Sequence, residues 1–311
     1  MNMPSEVQIQ VPYGIVAGKL WNEAGKKTPI IAIHGWMDNA GTWDTLSPLL
    51  DNDHPIFALD CPGHGLSFHQ PMSSGYYTFD NLITIHKVFH YFKWSKIILL
   101  GHSLGGIISF FYAGTMPEVV EKIIIIDILR PIATDPKDQP KQTAASIKEL
   151  LNVQEKLHTE PPRYEYEEIV KKLMQGYGNS LTEEAAKILL VRNTKEHEDG
   201  KYSFTYSPIL KVKRTLTTTV EQQKAFVANI NCDMLIVKSV SSHIYGSKEL
   251  AKEFLDLYKK YCRNFELEVV EGTHHLHLVT PEPVAEIVNR FLHGIPQSDS
   301  CRKRKLVNTI D

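Results

Sequence analysis

The chain has 311 residues, 42% hydrophobic and 23% charged, with a formal net charge of −2. That is the balance of a soluble globular protein, and it supplies no field that would gather nucleic acid or acidic lipid. The length admits one large α/β domain with an insertion or two small domains, and the four scattered cysteines (Cys61, Cys232, Cys262, Cys301) fit reduced thiols of a cytoplasmic protein, neither a disulfide framework nor a zinc site.

The start, Met1 to Glu6, has no basic segment followed by an apolar one, so no secretory signal is expected. Alternation over Val7–Val11 and Ile15–Trp21 predicts an antiparallel hairpin at a sheet edge. Pro29–Ile33 reads as a buried strand running into His34-Gly35-Trp36-Met37-Asp38. A strand ending in His-Gly is a place for an oxyanion donor, here the Trp36 amide. His34 is expected to brace this loop. His54–Asp60 is the next strand, followed by the Pro/Gly-rich turn Cys61–Ser67, and Asp80–Trp94 has helical periodicity. Ile97–Leu100 is a short apolar run of the kind a parallel strand needs. A largely apolar helix then spans Gly106–Gly114, ended by Pro117, and strand Val120–Ile126 closes at Asp127. Strands alternating with helices imply a parallel sheet whose C-terminal edge gathers His34, Ser103 and Asp127.

From 131 to 226 the pattern changes. Pro131, Pro136 and Pro140 break the chain, and amphipathic segments follow at Ala144–Leu157, Tyr164–Met174 and Thr182–Val191. Nearly a hundred residues cannot be one structureless loop, so a helical cap inserted between core segments 1–130 and 227–295 is predicted. The aromatic alternation Lys201–Tyr206 is a strand or an apolar surface within it. Strand Asp233–Lys238, helix Ser247–Tyr261, strand Phe265–Val270 and helix Pro281–Phe291 complete the core, and a disordered tail with the basic run Arg302–Lys305 is expected over 296–311.

Gly101-His102-Ser103-Leu104-Gly105 satisfies G-x-S-x-G, in which a serine stands on a strained strand-to-helix corner with its hydroxyl clear of the backbone. The Leu104 amide then lies at a helix N-terminus, aimed where an oxyanion forms. The glycine-rich interruption and flanking charges exclude a membrane span over Ile97–Met116, so no transmembrane segment is expected. A serine hydroxyl needs an imidazole to take its proton and a carboxylate to orient that imidazole. Three histidines follow the last strand, His274, His275 and His277, and Asp127 shares the sheet edge with Ser103. His34, Trp36 and His102 are the candidates for substrate contact. Such chemistry needs no metal and no organic cofactor.

Over nearly its whole length the chain resembles the α/β-hydrolase superfamily, on His34-Gly35-Trp36, Asp60-Cys61-Pro62-Gly63-His64-Gly65-Leu66-Ser67, Gly101–Gly106 and the His274 segment. Within it, Val11-Pro12-Tyr13-Gly14, His34–Ala40 and Val270–His275 are similar to the animal serine hydrolase-like proteins, the insect Kraken type in particular. The resemblance implies an α/β-hydrolase fold: a mostly parallel eight-stranded sheet flanked by helices, with an inserted helical cap. It implies Ser103 as nucleophile. It favours His274, which has the spacing to Pro281 that the family gives its catalytic histidine, with His275 the rival and His277 bracing the loop. Most relatives place an aspartate in the loop after the Met234–Lys238 strand, but Ser239–Tyr245 has no carboxylate. Asp127 is then the substitute, as in relatives of the haloalkane dehalogenase type, with Glu249 the other choice. Many members carry Arg-Asp before a proline of the insertion, where this chain has Tyr206-Ser207 before Pro208. The expected activity is hydrolysis of a small to medium apolar ester, with oxyanion donors Trp36 and Leu104. A slow ligand-binding receptor is the alternative of another class, and a thioesterase, amidase or C–C hydrolase the alternative chemistry. Dehalogenase and epoxide hydrolase activities are disfavoured, because those relatives use an aspartate at the position of Ser103.

Overall fold

The computed structural model describes residues 3–71, 75–157, 159–212, 217–241 and 246–296. The basic run and almost all of the expected tail lie outside them. In chain order the elements are β1 (Ser5–Val11), β2 (Gly14–Trp21), β3 (Ile30–Ile33), β4 (Ile56–Leu59), α1 (Thr78–Tyr91), β5 (Ile97–His102), α2 (Leu104–Thr115) and β6 (Val120–Ile126). Then come α3 (Gln139–Lys156), α4 (Tyr166–Gly176), α5 (Glu183–Asn193), β7 (Thr194–Glu196), β8 (Tyr202–Phe204) and α6 (Val220–Asn229). The chain closes with β9 (Asp233–Ser239), α7 (Lys248–Tyr261), β10 (Asn264–Val270), α8 (Leu276–Val279) and α9 (Pro281–Leu292).

Eight strands form one sheet in the order β1-β2-β4-β3-β5-β6-β9-β10. β2 runs antiparallel to β1 and β4, and every other pair is parallel. The continuous apolar runs follow from burial on both faces. Ile31, Ile33, Leu99, Ile123, Ile125 and Ile236 point into one core with Ile85, Ile108 and Phe254 of the helices. Their alternates Ile30, Ala32, Ile98, Leu100, Ile124 and Leu235 point into the other, under Trp43, Val284 and Phe291. No described helix is long and apolar enough to cross a membrane.

The segment between β6 and β9 builds a small apolar cluster of its own from Ile169, Leu173, Ala186, Leu189 and Leu190, which rests on Leu278 of α8. Pro140 does not break the chain there. It lies in the first turn of α3, where a missing N–H leaves no helical bond unmade, so the helix starts earlier than Ala144. Tyr202–Phe204 is a strand, paired antiparallel with β7. The boundary expected at Phe226 falls inside α6, which packs on the main body: the Phe226 and Phe111 rings meet edge to face at 4.9 Å, and Asn229 donates to the Gly114 carbonyl.

Candidate active site

β5 delivers Ser103 at the sheet's C-terminal edge with φ 48° and ψ −108°, a conformation a side chain rarely adopts. The turn is fastened from beneath, since the Ser103 N–H donates to Ile126 O on the neighbouring strand at 2.9 Å. It also needs a glycine two residues on: a Cβ at Gly105 would stand 2.0 Å from the Ile33 carbonyl oxygen, so α2 can begin this close to β3 only without a side chain there. Leu104 is the first residue of α2, so its N–H has no acceptor within the helix. Among the described residues neither the Leu104 nor the Trp36 N–H donates to the backbone.

One strand over, β6 ends at Asp127, also at positive φ (57°), whose N–H donates to Val237 O at 2.8 Å. Its buried carboxylate is aimed at the turn after β10. Oδ2 lies 2.6 Å from His274 Nδ1, while Oδ1 accepts from the Ser239 N–H at 2.7 Å and from Lys238 Nζ at 3.2 Å. A cation thus stands beside the carboxylate, at the end of the strand that precedes the carboxylate-free loop. Glu249 is exposed on the first turn of α7. Ser103 and the His274 ring are partly open to solvent, whereas Asp127 is buried.

The other two histidines of the turn face inward. His275 Nδ1 meets Ser180 Oγ at 2.8 Å, and His277 Nε2 meets Thr42 Oγ1 at 2.8 Å. His34 is fully buried, its Nδ1–H donating to Gly35 O and its Nε2 accepting the Cys61 N–H at 3.0 Å. His102 is buried too, with Nε2 2.9 Å from His274 O. Neither ring offers a surface to a substrate, so both are corrected from contact residues to braces. Trp36 is half-exposed, and its Nε1–H donates to Leu210 O in the inserted segment at 2.9 Å.

Burial keeps the His34, His102 and His277 rings neutral near pH 7. It pushes His102 down to about 4 against the opposing pull of Asp38, and lowers His34; His277 lies well below its usual value from burial and then from the neighbouring His102 and His275. Burial raises Asp38, but His275 and His102 beside it more than offset this and hold its carboxyl well below the usual range. Sequence reasoning gave Asp38 and Lys238 no role. The available signal was a lone charge inside an otherwise apolar or aromatic stretch, which marks a buried and therefore partnered group.

The comparisons agree with this architecture. Residues 28–156 match the family described as the alpha/beta hydrolase fold. A probable serine hydrolase of Drosophila melanogaster is 34% identical over 290 residues, covering 92% of this chain and 87% of that protein. The chain belongs to the serine hydrolase-like α/β-hydrolases. Serine hydrolase-like protein 2 of Homo sapiens is 28% identical over 315 residues, covering 94% of this chain and 96% of that one. Among solved structures, a hypothetical protein of Pseudomonas aeruginosa superposes with a TM-score of 0.81 at 29% identity, over 93% of this chain and 99% of the other. This serine hydrolase-like chain is thus a hydrolase by family and by fold.

Proposed function

We propose that it hydrolyses a carboxylic ester of a small to medium apolar substrate through an acyl-enzyme on Ser103. The observation that carries this reading is the short His274 Nδ1 to Asp127 Oδ2 contact, together with a serine on a strained elbow whose preceding residue, His102, bonds the His274 carbonyl. With Nδ1–H committed to Asp127, His274 Nε2 is the lone pair left to take the Ser103 proton. Ser103 Oγ attacks the ester carbonyl carbon as His274 takes that proton, and the Trp36 and Leu104 N–H groups hold the oxyanion. The intermediate collapses, and the alcohol leaves with the proton from His274. Water, deprotonated by the same imidazole, then attacks the acyl carbon and frees Ser103. Lys238 partly neutralises Asp127 and so tempers the imidazolium that forms.

We propose also that the inserted segment is the cap over this site. The apolar preference is supported by the cluster of Tyr76, Ile209 and Leu210 with Met37, Leu150 and Tyr206 beside the half-exposed Trp36. A fluorophosphonate probe tests the nucleophile: rapid labelling that Ser103→Ala abolishes supports the reading, and an inert Ser103 favours a binder on the same fold. A series of nitrophenyl esters of rising acyl length, run beside thioesters and amides, tests the bond. Faster turnover of thioesters or amides than of any ester would replace the ester assignment.

A further inference from the structure

The Trp36 N–H that the reaction above uses belongs to a peptide group whose other end is held. In a trans peptide the N–H points opposite to the C=O, so whatever grips the Gly35 carbonyl aims the Trp36 N–H. Two donors grip it: His34 Nδ1–H at 2.7 Å, and the Asp38 N–H at 3.2 Å, which closes a turn from Gly35 to Asp38. The Asp38 N–H shares its own peptide group with the Met37 carbonyl, and that carbonyl accepts from Asn193 Nδ2–H at 3.1 Å. Three donors therefore stand in line: Asn193 to Met37 O, the Asp38 N–H to Gly35 O, and the Trp36 N–H to the oxyanion. We propose that Asn193, the last residue of α5, is the positioning residue that heads this relay, aiming and strengthening the Trp36 donor from within the inserted segment. This rests on the reading of the Trp36 N–H as an oxyanion donor.

The turn needs holding from outside. Met37 occupies its third position at φ 65°, the left-handed region that a type II turn usually gives to glycine. Both peptide groups of Met37 are accordingly tied. Its N–H donates to His64 Nε2 at 3.1 Å, the ring giving its Nδ1–H to Pro62 O at 3.0 Å, and its C=O takes the bond from Asn193. A carbonyl only accepts, so the amide nitrogen of Asn193, and not its oxygen, faces Met37. Asn193 is fully buried, and its main-chain carbonyl accepts the Thr205 N–H at 2.8 Å. The relay thus starts from a fixed donor out of contact with water, where the polarisation that one peptide group passes to the next is strongest. The adjacent Arg192 ends on Asp60 and Glu6, outside this line, and supplies an internal control.

Asn193→Leu keeps the approximate volume and removes the donor. The expected result is a loss of about 5- to 30-fold in kcat on a nitrophenyl ester, with KM changed by less than about twofold. That is less than the roughly 100- to 1000-fold cost of losing an oxyanion donor outright, because His34 keeps part of the aim. A trifluoromethyl ketone, whose adduct with Ser103 places an oxyanion between the Trp36 and Leu104 N–H groups, should lose affinity in the same ratio, and the Trp36 amide proton of that adduct should move upfield. Arg192→Met cuts the tie of the adjacent residue and should leave all three readouts of the folded protein unchanged. If Asn193 is merely structural, Asn193→Leu will lower the melting temperature as Arg192→Met does, while kcat per folded molecule, ketone affinity and the resonance stay unchanged, and the proposal is overturned. Where Asn193→Leu does not fold, Asn193→Ala decides by the same readouts. The unsubstituted protein separates the two readings: a Trp36 amide proton that does not respond to the ketone removes the oxyanion donor and this proposal with it, whereas a response that Asn193→Leu preserves in full removes the positioning role alone.

Discussion

The sheet edge and the inserted segment solve different problems with different forces. At the edge, Ser103 and Asp127 hang on backbone bonds to neighbouring strands that are buried on both faces. In the segment, α3 has Ser146 as its buried residue, and the tie to the body runs through polar groups: Arg192 on Asp60, Asn39 on Leu189 O, and Ser180 on the histidine turn. Close geometry is thus built on apolar strands, while the segment adds buried polar ties to its apolar contacts with Leu278 and Tyr76. Substitutions at the edge should act on the chemical step, and substitutions in the segment, Asn193 apart, on stability and access.

The largest effects test the first half of that contrast. Ser103→Ala should remove nearly all turnover, about a million-fold in kcat, while the circular dichroism and the melting temperature hold. Asp127→Asn should cost about 10⁴-fold in kcat by leaving His274 without its orienting anion. Substantial activity in either, measured on a nitrophenyl ester, would mean that the chemistry lies elsewhere than at the strand ends.

Arg192 tests the second half. Its buried guanidinium spans Asp60 Oδ2, at 2.6 Å and 3.1 Å, and Glu6. Asp60 also accepts the Ala40 and Leu66 N–H groups, so its charge organises two loops of the main body. Arg192→Met should destabilise by about 3–5 kcal/mol, since it strands a buried anion. The loss should appear in urea unfolding of the whole chain, with kcat of the folded fraction little changed. A fall in kcat larger than the loss of folded protein would show that the tie sets the site as well as the segment.

Where sequence reading succeeded and where it stopped follows the same division. The buried strands were legible because each is a continuous apolar run, and the elbow because G-x-S-x-G is local. From its own residues the histidine turn was legible as three candidates, and the family's spacing to Pro281 is what favoured His274: the ring that reaches Asp127 and the rings that turn inward differ by the path of the turn after β10. In the insertion, α4 carried clear periodicity, whereas α5 shows little and β7, with three residues, is too short to show any. Asp38, Lys238 and Arg192 escaped because each is explained by partners distant in the chain.

Acid should separate the regions further. His34, His102 and His277 all lie under the site loops, buried, with pKa values lowered by desolvation. Below their ordinary value of about 6.5 the unfolded chain binds protons that the folded chain refuses. The stability they contribute is therefore complete above about pH 6.5, falls as pH drops, and for His102 levels off below about 4. That ring alone accounts for a loss of order 3 kcal/mol over the window. The urea midpoint should decline between pH 7 and pH 4.5. A flat midpoint would mean that the rings take up protons in the folded chain as readily as in the unfolded one.

The smallest effect asks whether the inserted segment opens as a unit. Thr182 caps α5, its hydroxyl accepting the Ala185 N–H at 3.2 Å, and α5 supplies Ala186, Leu189 and Leu190 to the segment's own cluster as well as Arg192 to the tie. Thr182→Ala should cost about 1 kcal/mol. If the segment is a separate cooperative unit, that loss should appear in native-state hydrogen exchange as faster exchange across α4 and α5 together, with the amides of β5 and β6 unchanged. If exchange in the sheet accelerates equally, the segment and the body open only as one. Ser180 would then carry the disturbance straight into the turn of His274, because its carbonyl accepts from Thr273 Oγ1 and its hydroxyl from His275, the two residues that flank His274.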